Sequence, residues 1–402
     1  MRTWLERAGF DARFTSLLLA LAIIWGALAF ATGGIFVTPR NLYNLSIQTC
    51  VTAIMACGMV YVIAARQIDL SVGSQMAFTG MLIAIAQTDW LGADSSWGWL
   101  GSIAIGIAAG MALGAFQGWW TAYRAVPAFV VTLAGYLMFR GAAFMVADGQ
   151  TLAPLATPYQ RLGGGVNGSI GPLWSWLLGF AACAWVVAQA LQARRSRARF
   201  NATMPPAWAT GVKVAVSCAA VLGFVAVMNA YPDPASTADG GAAVGKGIGL
   251  PVLILVFVAI ALTILAQRTR FGRYVFAYGG NPEAALLSGL PTKRILLYVF
   301  VLMGALAAIS AVITTSRLNA GTHSIGQMAE LYVIAAAVIG GTSLAGGVGT
   351  IPGAIVGAVI IQSLDNGMVL MDVSSAKRQI FIGAILIAAV WFDGIYSKRQ
   401  SQ

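Results

Sequence analysis

The chain carries a succession of uncharged apolar stretches, most of them near the about 17 to 25 residues that a helix needs to cross a hydrocarbon core about 30 Å thick. They run Phe14 to Phe36, Leu42 to Ala65, Val72 to Ala86, Trp99 to Trp120, Val126 to Val146, Leu173 to Leu191, Trp208 to Ala230, Leu250 to Gln267, Ile295 to Thr315, Met328 to Gly340, Ile351 to Leu364 and Gln379 to Phe392. The third, tenth, eleventh and twelfth are short. Hydrocarbon offers no water to satisfy backbone N–H and C=O groups, so such segments must be helices. The expectation is an all-α polytopic transmembrane helix bundle of about 12 spans, and at least about 10, forming one transmembrane domain over residues 1–402. The uncharged run from Leu331 to Leu364 would be about 50 Å long as one helix. It must break, and Gly340-Gly341-Thr342-Ser343-Leu344-Ala345-Gly346-Gly347 is where.

Composition excludes the soluble alternatives. Of 402 residues, 59% are hydrophobic and 9% charged, against about 25% charged in an ordinary soluble domain. The net charge of +11 does not mark a nucleic-acid partner, because the basic residues lie between apolar runs and not on one polar face. Alternating the spans from a cytoplasmic N-terminus puts Arg2, Arg7, Arg13, Arg66, Arg124, the Arg194 to Arg199 cluster, Arg268, Arg270, Arg273, Lys293, Arg294, Lys398 and Arg399 inside. Arg40, Arg161, Lys246, Arg317, Lys377 and Arg378 fall outside, beside Asp89, Asp94, Asp148, Asp233, Asp239, Asp365 and Asp372. That asymmetry predicts that both the N-terminus and the C-terminus are cytoplasmic. The Arg194 to Arg199 cluster reads as an anchor for anionic lipid, and the chain's start as an uncleaved anchor.

Chemistry is sparse. His323 is the one histidine, and the cysteines Cys50, Cys57, Cys183 and Cys218 read as small core hydrophobes, so no metal, cofactor or catalytic residue is expected. Gly240 to Gly247 fits the phosphate-loop spacing until Gly247 replaces the hydroxyl residue that holds Mg²⁺, so it reads as a decoy. The sequons at Asn44, Asn167 and Asn201 are equally weak. Small-residue ladders at Gly106, Gly110, Gly114 and Gly118, and at Gly349, Gly353 and Gly357, read as helix-packing faces. The most informative stretch outside the apolar runs is the loop 268–294. There Asn281 as a cap, Pro282 in a first turn and Gly289 just past the end delimit a very short helix, either a handle for a soluble partner or a solvated connector.

Glu283-Ala284-Ala285 followed four residues later by Gly289 resembles the cytoplasmic coupling motif of ATP-binding-cassette importer permeases. Ile68-Asp69-Leu70-Ser71, the Val126 to Gly135 stretch with Phe139-Arg140-Gly141, Ser316-Arg317-Leu318, Glu330-Leu331 and Gly340 to Gly347 look like signatures of the ribose, xylose and arabinose permeases. The pair of spans inserted near 173–230 and the Leu364 to Met368 stretch look most like the xylose type. Arg66-Gln67 departs from the glycine or small polar residue usual there. The resemblance implies a homodimer of permease subunits, two ATPase subunits on the cytoplasmic side and an extracytoplasmic sugar-binding protein, all at a bacterial inner membrane. It assigns coupling to Asn281, Pro282, Glu283, Ala284, Ala285 and Gly289. Asp69, Ser71, Arg140, Glu330, Thr342 and Ser343 are left as pathway or structural positions: Asp69 and Ser71 capping the next span, Arg140 snorkelling to the outer interface, Glu330 bonding across helices or meeting sugar. The rivals are an ion-coupled secondary sugar transporter and an ABC permease for ribose, arabinose, galactose or branched-chain amino acids. Near-absence of mid-membrane carboxylates speaks against the first. A membrane-embedded enzyme is weaker still, for want of a Ser/His or metal constellation.

Overall fold

The computed structural model describes residues 12–92, 96–165, 168–200, 206–234, 236 and 244–400. Arg2, Arg7, Asp94, Asp239, the sequons at Asn167 and Asn201, and Gly240 to Ala243 of the phosphate-loop lookalike lie outside the described residues, as do the side chains of Arg13, Lys398 and Arg399.

Every predicted stretch is a helix. In chain order they are α1 (Ala12–Ala31), α2 (Pro39–Ala64), α3 (Val72–Ile85, prolonged by a π-helical Ala86–Trp90), α4 (Gly98–Tyr123), α5 (Ala128–Met145), α6 (Gly171–Arg199), α7 (Ala207–Ala230) and α8 (Leu250–Arg268). The loop that follows contains α9 (Arg270–Gly280) and α10 (Pro282–Leu287), and then come α11 (Thr292–Leu318), α12 (Ala329–Ile339), α13 (Ile351–Leu370) and α14 (Ser375–Gln400). Among the described residues, 9 helices are long and apolar enough to cross a membrane.

The tenth stretch corrects the expectation. With 11 residues, α12 reaches only about 16 Å and cannot cross alone. The chain enters it through a non-helical loop, 319–328, in which Gly321 pairs by two backbone hydrogen bonds with Leu152, and Gly326 packs against Gly73 in the first turn of α3. The predicted break is present: the helix stops at Ile339, the chain turns through Gly346 and Gly347, and α13 starts at Ile351 with Thr350 accepting from the Gly353 amide.

The core is built on α2, whose apolar stretch is 89% buried, while α1, α6 and α7 keep most of their surface outward. The glycine ladders mark the closest crossings. A Cβ at Gly110 or Gly114 on α4 would overlap the backbone carbonyls of Gly304 or Phe300 on α11, so these helices touch backbone to backbone, where dispersion is strongest. Gly353 and Gly357 on α13 meet Gly340 and Ala336 of the α12 segment in the same way. All four cysteines are free.

Candidate permeation site and coupling surface

A cavity of about 320 Å³ opens among α2, α3, α11, α12 and α13, beside the middle of α2 and the last turns of α11 and α13. In so apolar a chain its lining is unusually polar: Gln48 and Thr52 from α2, Thr314 and Arg317 from α11, Gln327 from the loop, Tyr332 from α12, and Gln362, Asp365 and Asn366 from α13. Gln362 Nε2 donates to Thr52 Oγ1 at 2.6 Å, Asn41 Nδ2 donates to Asn366 Oδ1 at 2.9 Å, and Arg378 at the head of α14 pairs with Asp365 at 2.9 Å. These bonds fix donors and acceptors along one wall. Among the described residues, the Arg317 guanidinium has no hydrogen-bond or ion-pair partner of its own, which leaves five N–H donors for a ligand. Sequence reasoning missed this wall. Its signal was the spacing of Gln362, Asp365 and Asn366 at i, i+3 and i+4, a polar stripe inside an apolar span.

Beside this cavity, Arg140 corrects the reading that it snorkels to the interface. From within α5 its guanidinium donates to the carbonyl oxygens of His323 (2.9 Å), Ile325 (2.7 Å) and Gly326 (3.2 Å), so it pins the loop that feeds α12. A non-helical backbone segment inside a bundle needs such donors, because its carbonyls have no ladder to join. Glu330, in the first turn of α12, is buried against Gly73, with Oε2 unpartnered among the described residues, and it does not line the cavity. A carboxylate there faces the favourable end of the helix dipole.

Asp69 and Ser71 form a buried polar knot. Asp69 Oδ1 accepts from the Ser71 amide and hydroxyl at 2.8 and 2.6 Å, and Ser71 Oγ accepts from the side-chain amides of Gln75 and Gln117 at 2.7 and 2.6 Å. Ser71 stands at the head of α3, but its side chain caps no helix amide. The expected capping is therefore corrected: the hydroxyl is already taken by two glutamines and ties α3 to α4.

On the opposite face lies α10. Asn281 Oδ1 accepts from the Ala284 amide at 3.0 Å, Pro282 occupies the first turn with Glu283 beside it, and Ala285 is buried. The end closes by two bonds, Gly289 N–H to Leu286 and Leu290 N–H to Ala285, with Gly289 at φ +78° in the region open to glycine. Leu286 and Leu287 are 63% and 88% exposed, an apolar edge that no described residue covers. The preceding α9, whose N-cap Thr269 accepts from the Gly272 amide, was not legible as a helix. In the break after α12, Thr342 is buried with its hydroxyl unpartnered among the described residues, and Ser343 Oγ accepts from the Ala345 amide at 3.3 Å. One helix, α11, runs from the α10 side to the cavity side, about 40 Å for its 27 residues.

Of the phosphate-loop lookalike, the described residues are Val244 to Gly247. Lys246 is buried in the loop between α7 and α8, with its ammonium over the rings of Tyr43 (4.9 Å) and Tyr231 (5.6 Å). Burial lowers its pKa, and Asp233 opposes that in part. A lysine spent on aromatic faces does not grip phosphate.

A protein-family profile described as branched-chain amino acid transport system, permease component, matches residues 41–390. The chain belongs to this permease family. It is 40% identical over 386 residues to the xylose transport system permease protein of Haemophilus influenzae, covering 96% of both chains. It is 39% identical over 392 residues to that of Escherichia coli, covering 96% of this chain and 92% of the relative. The ribose import permease protein of Escherichia coli follows at 31% over 383 residues, covering 95% and 93%. No solved structure matches. The chain is thus a multi-pass membrane permease and not an enzyme.

Proposed function

We propose that this chain is the membrane-spanning subunit of an ATP-driven ABC importer for a monosaccharide, D-xylose first, working as a homodimer above two ATPase subunits and beneath an extracytoplasmic sugar-binding protein. The observation that carries this is the 40% identity to a xylose transport system permease along 96% of both chains. In this reading both termini and α10 face the cytoplasm, and the 320 Å³ cavity faces the delivered sugar. The amides, carboxylate, guanidinium and tyrosine ring on its wall are the groups that hydroxyl-rich rings use, set beside the apolar Val51, Met55, Met76 and Val369. Asn281, Pro282, Glu283, Ala284, Ala285 and Gly289 form the surface that enters a cleft on the ATPase. ATP-driven closure of the partners then moves α10 and switches the open side of the bundle.

The test is uptake of labelled xylose into proteoliposomes holding the chain with its ATPase and binding protein, with ribose, arabinose, galactose and leucine as competitors. ATP-dependent uptake competed best by unlabelled xylose is the expected result. Uptake by the chain alone under a proton gradient, or competition by leucine above all sugars, would overturn the reading.

A further inference from the structure

We infer that Arg66 is a coupling residue: it clamps the segment bearing α10 to the break between α12 and α13, so that movement of one is passed to the other. This rests on reading α10 as the ATPase dock.

Three segments meet at this side chain. Arg66 leaves the end of α2 at φ 59°, a left-handed conformation that residues with a Cβ rarely adopt unless their surroundings hold them there. Its Nε donates to the carbonyl of Gly279 at 2.6 Å and its Nη2 to that of Gly280 at 3.0 Å. These are the last two residues of α9, whose free carbonyls and dipole both favour a cation. Asn281 comes next and caps α10, so the clamp sits one residue from the docking helix. The third segment is the break itself: a Cβ on Gly346 would overlap Arg66 Cγ, and the Gly347 amide donates to the Ala64 carbonyl at 2.9 Å. At Gly279 and Gly347 the backbones touch so closely that a methyl group would strike the Ala64 carbonyl and Gly280, respectively.

A joint this tight has little slack, and a push on α10 must displace the Gly346-Gly347 turn or break the guanidinium bonds. Beyond that turn lie α12 and α13, which carry Tyr332, Gln362, Asp365 and Asn366 to the polar cavity. A mere structural plug would not need both hydrogen bonds aimed at the coupling segment. Arg66 is therefore a positioning residue that acts through α9 and the turn, without touching sugar or nucleotide.

The experiment uses the full complex in proteoliposomes, reading ATP hydrolysed and xylose taken up per assembled complex. Arg66→Ala, Arg66→Lys and Arg66→Gly are compared, the last relieving the left-handed backbone. The inference expects ATPase co-purification at the normal level, hydrolysis retained, and the ATP consumed per xylose raised at least about fivefold in Arg66→Ala and Arg66→Gly. Arg66→Lys, one point charge in place of a planar fork, falls between. Uptake and hydrolysis declining in parallel at an unchanged ratio, a wild-type ratio in both variants, or failure of Arg66→Gly to assemble would each overturn it. Failure of the docking reading is seen separately, as normal ATPase binding and uptake in Glu283→Arg and Gly289→Asp.

Discussion

Both ends of α12 involve an arginine bonded to backbone carbonyls, yet the two arginines face different neighbours. At the entrance, Arg140 reaches from within α5 to three carbonyls of the 323–326 segment, half-buried in the bundle. At the exit, Arg66 is exposed on the opposite face and bonds the end of α9, with the turn after α12 packed on its aliphatic stem. The first arrangement ties α12 to the scaffold, and the second ties it to the segment that leads to α10. The same guanidinium chemistry thus serves anchorage at one end and transmission at the other, because what decides its role is whether the bonded carbonyls belong to a fixed or a movable segment.

The largest effect is expected from breaking the anchor. Arg140→Ala strips the guanidinium donors from three partly buried carbonyls, each costing up to about 1 to 3 kcal/mol when left unsatisfied, so the protein should fail to accumulate in membranes. Size-exclusion profiles of fluorescent fusions check this, and a normal Arg140→Ala profile would break the comparison. Next comes the α12–α13 crossing: Gly353→Leu drives a side chain into the Gly340 carbonyl and should lower stability by about 1 to 3 kcal/mol, read as a fall in melting temperature in detergent. A third test sharpens the entrance end as the sugar side. Arg317→Met should raise the KM for binding-protein-delivered xylose about tenfold, or 1.4 kcal/mol, with ATPase assembly unchanged.

The fold was legible wherever one physical requirement dominated a segment. Length and apolarity placed the helices, and an uncharged run too long for the bilayer located the break at Gly340 to Gly347. Asn281, Pro282 and Gly289 delimited α10 because caps act locally. The half-length of α12 was hidden, since an apolar count does not distinguish a half-helix from a short span. Arg140 was misread because its acceptors are backbone carbonyls 183 to 186 residues away, which no side-chain pattern reveals. The polar cavity needed five helices brought together, though the stripe on α13 was visible at its spacing.

A smaller effect is expected at Gly289. A substituted residue meets no atom within 4 Å but must hold φ +78°, a strain of about 1 to 2 kcal/mol. Gly289→Asp should insert normally and lose ATPase co-purification, which would separate the transmission end from folding. The smallest is Lys246→Met in the loop between α7 and α8, where loss of the contacts over Tyr43 and Tyr231 should cost about 0.5 to 2 kcal/mol. A modest fall in melting temperature with unchanged transport would keep that cation outside the mechanism.

The central claim, that the entrance of α12 stays with the scaffold while its exit moves with the docking segment, is tested most directly by spin-label distances in the full complex. One label pair at Leu137 and Gln327 spans the entrance, and another at Phe116 and Val348 spans the exit. Between the nucleotide-free and ATP-trapped states, the Leu137–Gln327 distance should stay constant and the Phe116–Val348 distance should shift, with the shift lost in Arg66→Ala. A change confined to Leu137–Gln327, or an exit shift that persists without Arg66, would contradict the account.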